Sequence, residues 1–104
     1  MEINELSTST FTVRPLNESG TAFTPTNARY RLDDVTTGNN VIDWTEIGTP
    51  SSEMEIIIPA SSHTILDTNR EHEEKILTVQ TDFGTDNQHV EEFIYELRNL
   101  SFVS

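Results

Sequence analysis

The sequence predicts an all-β fold, an antiparallel β-sandwich of about seven strands. Turn residues divide the chain into segments of roughly 5–10 residues, which is the length of strands in a sandwich. Thr supplies 15 of the 104 residues, and its β-branched side chain favours a pleated sheet over a helix interior. The third observation is that apolar and polar residues alternate with a period of two, and this alternation identifies the individual strands.

The alternation is clear in five segments. In residues 10–13, Phe11 and Val13 point to one side while Thr10 and Thr12 point to the other. The same pattern occurs in residues 29–32, 42–45, 53–58 and 77–83. Alternation of this kind is typical of antiparallel strands that are buried on one face and solvated on the other.

Residues 89–100 fit two structures. Val90, Phe93, Ile94 and Leu97 have helical spacing, whereas Phe93, Tyr95 and Leu97 alternate as in a strand. Residues 83–88 form a turn rich in Gly, Asp and Asn directly after a predicted strand, so a hairpin return favours the strand. Residues 64–75 are predicted to be a long connection with a helical turn, and their glutamates are expected to be solvated.

The predicted strands form one domain over residues 1–104, to which residues 1–8 could add an N-terminal arm. About seven short strands and a single Trp on a middle strand indicate an immunoglobulin-like or fibronectin-like sandwich. We expect Trp44 to be the largest side chain of the core, because its ring can bury on the order of 200 Å².

Charge and composition exclude several classes of function. Eighteen acidic residues face six basic ones, for a formal charge of −12, so the chain would repel nucleic acid and anionic membranes. The chain has no cysteine, hence no disulfide and no thiolate chemistry. No apolar run is long enough for a membrane span or a secretory leader, so an aqueous compartment is expected.

The polar motifs do not indicate an enzyme. His63, His72 and His89 lack the spacing of a metal-binding pair and are expected in loops. The acidic turn formed by Asp82, Asp86 and Asn87 could offer oxygen ligands to calcium, but it lacks the spacing of a calcium loop and a solvated turn is favoured. We therefore expect no catalytic residue, no cofactor and no metal ligand.

Five residues are candidates for contact with a partner. Arg29 and Arg31 form the only local cluster of positive charge, and they serve either to neutralise nearby aspartates or to bind an acidic neighbour. Alternation leaves Ile57, Ile76 and Ile94 on the outside of their strands. Isoleucine side chains on the outside of a strand expose apolar surface to water, which indicates that another protein covers them.

Several segments taken together resemble a group of short tailed-bacteriophage proteins with an immunoglobulin-like fold. The resemblance extends over roughly residues 8 to 100 and is carried by residues 28–38, 43–45, 55–60, 73–86 and 95–100, with residues 77–86 the most similar part of the fourth segment. It implies a non-enzymatic structural protein of the virion, either a capsid decoration or cement protein or a head-tail accessory protein. Its partners would be phage capsid, neck or tail proteins, bound in multiple copies within a symmetric assembly. The alternative is a carbohydrate- or receptor-binding adhesion module.

Overall fold

The structure is a computed structural model that describes residues 2–16, 19–66, 69–86 and 88–100. Strands dominate it, which confirms the predicted all-β class. Seven strands are present in the described ranges, β1 to β7: Glu2–Asn4, Ser9–Val13, Ala28–Asp34, Asn40–Glu46, Met54–Ile58, His72–Thr81 and His89–Arg98. A short 3-10 helix spans Ala60–Ser62.

The strands form two sheets. The larger has the order β1-β7-β6-β3-β4, and the smaller consists of β2 and β5. β6 and β7 are the longest strands and pair antiparallel, with Thr81 opposite His89 at the turn. This pairing confirms both the predicted hairpin and the strand assignment for the segment that also had helical spacing.

Two details of the predicted strands are corrected. Glu2–Asn4, within the expected N-terminal arm, is an edge strand, and it runs parallel to β7, so the sheet is not wholly antiparallel. β6 begins at His72, inside the segment that was expected to be a connection. His72 and His89 therefore lie in strands rather than loops, and Glu73 is buried rather than solvated.

The core lies between the two sheets. From the smaller sheet, Phe11, Val13 and Ile56 point inward, as their alternation predicts, and meet side chains of β3, β6 and β7. The Phe11 ring lies 5.9 Å from the ring of Phe93 and 5.2 Å from that of Tyr95, measured between centroids. These contacts join the sheets, because the aromatic rings bridge their inner faces.

The prediction that Trp44 anchors the core is wrong. Trp44 is half-buried on β4, outside the core cluster, and two arginines lie against its ring. The pairing of β3 with β4 shifts register between Thr45 and Ile42, which interrupts the alternation of β4. Ile42 packs against the core, whereas Trp44 lies against the arginines of β3. Tyr95 is instead the largest fully buried side chain among the described residues.

One end of the core is polar. The imidazole of His63 is buried between the carbonyl oxygen of Ser7, 2.6 Å from Nδ1, and the hydroxyl of Tyr95, 2.8 Å from Nε2. Asp34, Glu73 and Lys75 are buried in the same region. Every buried polar side-chain atom in the described residues has a hydrogen-bond partner.

Candidate functional site

The candidate site is the outer face of the larger sheet, defined as the side that points away from the smaller sheet. Strand register places four of the five predicted contact residues on it: Arg29, Arg31, Ile76 and Ile94. Ile57 lies elsewhere, on the outer side of the smaller sheet, opposite Thr10. The predicted set is thus divided between two opposite surfaces of the domain.

Three apolar side chains, Ile76, Ile94 and Val90, lie in the middle of the outer face and are called its apolar centre. Ile76 on β6 lies directly opposite Ile94 on β7, and the next outward positions along these strands pair Thr78 with Glu92 and Gln80 with Val90. Ile94 is 57% exposed and Val90 is 49% exposed, whereas Ile76 is only half-buried by its neighbours. Branched apolar side chains exposed together on one sheet face form a surface suited to contact with another protein.

One side of this apolar centre is basic and aromatic. The Arg29 guanidinium carbon lies 4.3 Å from the centroid of the Trp44 ring and 4.3 Å from that of Phe83. Arg29 Nε donates a hydrogen bond to Gln80 Oε1 at 2.7 Å. The guanidinium is therefore held by two aromatic rings and an amide, which fixes its position without neutralising its charge.

Arg31 has a different environment. Its Nε and Nη2 donate hydrogen bonds to the two carboxylate oxygens of Asp33, both at 2.8 Å. Partial burial acts to raise the pKa of Asp33, but hydrogen bonds from Arg31 and Asn40 outweigh it and lower that pKa below its ordinary value. Of the two roles predicted for the arginine pair, Arg31 neutralises an aspartate, whereas Arg29 presents its charge on the face.

The other side of the apolar centre is acidic. Glu2, Glu96 and Glu74 lie side by side on β1, β7 and β6. Like charges opposite one another destabilise a sheet, and Glu2 also contacts two residues of the neighbouring strands. His72 Nε2 lies 2.9 Å from Glu2 Oε2, and Arg98 Nη1 lies 3.9 Å from Glu2 Oε1.

Among the residues that the structure describes, Glu2, His72 and Glu96 could together hold a divalent cation. Their ligand atoms lie within 4.8 Å of one another, and an imidazole with two carboxylates suits a transition metal. However, both Glu2 oxygens already face His72 and Arg98. The cluster is therefore stabilised by contacts within the sheet.

A small pocket opens at the margin of the space between the two sheets, near the turn end of β6 and β7. Its volume is about 190 Å³, and Phe23, Val79, His89 and Val90 are among the residues that line it. Ligand pockets usually exceed about 300 Å³, so this pocket would admit part of a side chain rather than a cofactor.

The acidic turn after β6 has a structural role in the described residues. The Asp82 carboxylate accepts hydrogen bonds from the backbone N–H and the hydroxyl of Thr26, at 2.7 and 2.9 Å. Asp82 has a positive φ of 51°, which the turn requires. Asn87, the third residue of the calcium motif considered from the sequence, lies outside the described residues.

Comparisons of the chain with protein-family models, curated proteins and solved structures found no significant match. Within the described ranges, no helix is long and apolar enough to cross a membrane.

Proposed function

We propose that this chain is a non-enzymatic structural protein of a tailed-bacteriophage virion, a capsid decoration or head-tail accessory protein that binds the particle through the outer face of its larger sheet. The observation that carries the proposal is the exposed Ile94 beside Ile76 on that face, with a positioned arginine on one side and a row of glutamates on the other.

An immunoglobulin-like topology belongs to this proposal, and the strand order supports it. In immunoglobulin-like sandwiches, strands G, F and C form one sheet, to which C′ adds, while B and E lie in the other. Strands β7, β6, β3 and β4 have the connectivity of G, F, C and C′, and β2 with β5 has that of B and E. β1 then adds at the free edge of β7.

The chemistry of the outer face supports a protein partner. An apolar centre with a polar, charged rim is the usual anatomy of a protein interface. The net charge of −12 is consistent with a partner that is not nucleic acid. The partner surface would therefore offer an apolar patch, with an acidic group toward Arg29 and basic groups toward the glutamate row.

The carbohydrate-binding alternative has less support. Sugar recognition by stacking requires a free aromatic face, and the Trp44 ring lies against Arg29 at 4.3 Å and Arg31 at 5.5 Å. A sugar that stacks on the part of the ring covered by these guanidinium groups would have to displace them from Trp44.

The test is incorporation into particles of the phage that encodes the chain. Ile94→Glu places a charge at the centre of the outer face, where docking would bury it at a cost of several kcal/mol. We expect Ile94→Glu to reduce the copy number per particle at least tenfold, measured by quantitative mass spectrometry of purified virions.

Ile57→Glu is the matched control, because Ile57 is also 57% exposed but lies on the smaller sheet. It should be incorporated at the wild-type level, and circular dichroism should show that both variants are folded. Absence of the wild-type chain from virions would contradict the proposed function. Equal incorporation of both variants would contradict the assignment of the docking face.

A further inference from the structure

Three ionisable side chains are buried together at the polar end of the core, on the side of the larger sheet opposite the outer face. Lys75 and Glu73 are 0% exposed and Asp34 is 1% exposed. Asp34 on β3 lies directly opposite Lys75 on β6, and Glu73 is two residues before Lys75 on the same side of β6. Lys75 Nζ lies 3.0 Å from Asp34 Oδ2 and 3.4 Å from Glu73 Oε1.

Such a group is costly to bury, since an ammonium and two carboxyl groups each lose their hydration. Apolar residues of similar volume would often stabilise a core equally well or better. The three side chains face the core and take no part in the proposed docking face.

The amine lies between two carboxyl groups. An oxygen of each carboxyl group is within 3.4 Å of Lys75 Nζ, so Glu73 is placed to take a proton from the ammonium. Transfer of a proton from an ammonium to a carboxylate converts the two ions into a neutral amine and a neutral acid.

The Asp34 carboxyl group is also positioned as an electrophile. Its Oδ1 accepts hydrogen bonds from the backbone N–H groups of Thr36 and Thr37, at 2.9 and 3.2 Å, while Oδ2 faces Lys75. Two N–H donors on one oxygen would stabilise the negative charge that develops there when a nucleophile adds to the carboxyl carbon.

We propose that Lys75 and Asp34 join in an intramolecular isopeptide bond, with Glu73 transferring the protons. The ammonium first loses a proton through Glu73 to Asp34, which leaves a neutral amine beside a protonated carboxyl group. The Nζ lone pair then attacks the Asp34 carboxyl carbon, and Oδ1 becomes the oxyanion that faces Thr36 and Thr37.

Glu73 next takes the proton from Nζ and delivers it to Oδ2. The bond between the carbon and Oδ2 breaks, one water molecule leaves, and an amide remains. The ammonium and carboxylate together contain the atoms of the amide and the water, so no oxidant, activating group or metal is required. Proximity in the buried site replaces external activation, because the reacting groups are already in contact.

The experiment is intact-mass spectrometry of the purified full-length chain. We expect the folded wild-type protein to be lighter than its sequence mass by one water molecule, about 18 Da. Trypsin cleaves after Arg31, Arg70 and Arg98 but not after an acylated lysine. Digestion should therefore yield one branched species that joins residues 32–70 to residues 71–98.

Two variants test the chemistry. Glu73→Gln keeps the amine and the carboxyl group but removes the proton carrier, so it should keep its full sequence mass. Asp34→Asn should form the same amide with loss of ammonia, and its product should have the same mass as the wild-type product.

A folded wild-type protein of full sequence mass would overturn the proposal. The proposal would also be overturned if the mass loss of one water molecule were found in a peptide other than the branched species. A reacted Glu73→Gln variant would overturn the role of Glu73. Because the wild-type mass alone decides whether the bond forms, the test holds even if a variant does not fold.

Discussion

At the scale of single residues, hydrogen bonds fix the tautomer of the buried His63 imidazole, and burial favours its neutral form. The Ser7 carbonyl oxygen can only accept a hydrogen bond, so Nδ1 carries the proton and Nε2 accepts from the Tyr95 hydroxyl. Burial lowers the pKa of His63 below its ordinary value of 6.5. Burial also raises the pKa of Tyr95, which keeps its hydroxyl available as the donor.

The His63 imidazole predicts a loss of stability in mild acid. Below pH 6.5 the unfolded chain gains a proton on this residue while the folded chain does not, so the free energy of unfolding falls as the pH falls. We expect a lower urea midpoint at pH 5 than at pH 7. His63→Gln should reduce this difference, because glutamine does not titrate.

His89→Gln is the control for this titration, since His89 is exposed on β7. It should keep the wild-type difference between the two urea midpoints. If His63→Gln showed the same difference as the wild type, the acid sensitivity would not arise from His63.

At the scale of elements, β5 shows how alternation assigns side chains to the core or to solvent. Ile56 is 2% exposed and its neighbour Ile57 is 57% exposed. Ile56 packs in the core between the sheets, whereas Ile57 lies on the outer side of the smaller sheet, opposite Thr10.

Two alanine variants of β5 should therefore differ strongly. Ile56→Ala should lower the free energy of unfolding by about 2–5 kcal/mol, because it leaves a cavity in the core. Ile57→Ala should change it by less than about 0.5 kcal/mol. Urea denaturation measures both values, and similar losses would show that the strand is not oriented in this way.

The same principle explains which strands could be predicted from the sequence. β2 and β5 have apolar side chains at their inward positions, so period-two alternation identifies them. The first part of β6 was not predicted as a strand, because its inward residues, Glu73 and Lys75, are charged and give no alternation of apolar and polar residues. β1 is three residues long and has only Ile3 as an apolar residue, so its pairing with β7 depends on contacts distant in sequence.

The outer face could be predicted only in part, for a similar reason. Alternation correctly places Ile76 and Ile94 outside, but strand order decides that they are neighbours and that Ile57 is not. The stacking of Arg29 between Trp44 and Phe83 joins three separate segments. No local pattern carries that information.

At the scale of the whole molecule, the proposed isopeptide bond would be a covalent cross-link in a chain that has no cysteine and so no disulfide. It would close a segment of 41 residues between β3 and β6. By analogy with disulfides, restricting the unfolded chain over this length stabilises the fold by about 4 kcal/mol.

Glu73→Gln should therefore unfold at a clearly lower denaturant concentration than the wild type, since it lacks the isopeptide bond. Asp34→Asn, which forms the same amide, should keep the wild-type midpoint. Equal decreases of the denaturation midpoint in the two variants would indicate that stability depends on the buried polar contacts and not on the covalent bond.

The proposed function requires that this two-sheet domain is held in a particle by the outer face of its larger sheet. A cryo-electron microscopy reconstruction of virions from the encoding phage tests it most directly. We expect density for the domain at symmetric positions, with Ile94 buried against a shell, neck or tail protein and Ile57 facing solvent. Particles that lack the domain, or that bind it through the Ile57 side, would overturn the proposed function or the assigned docking face.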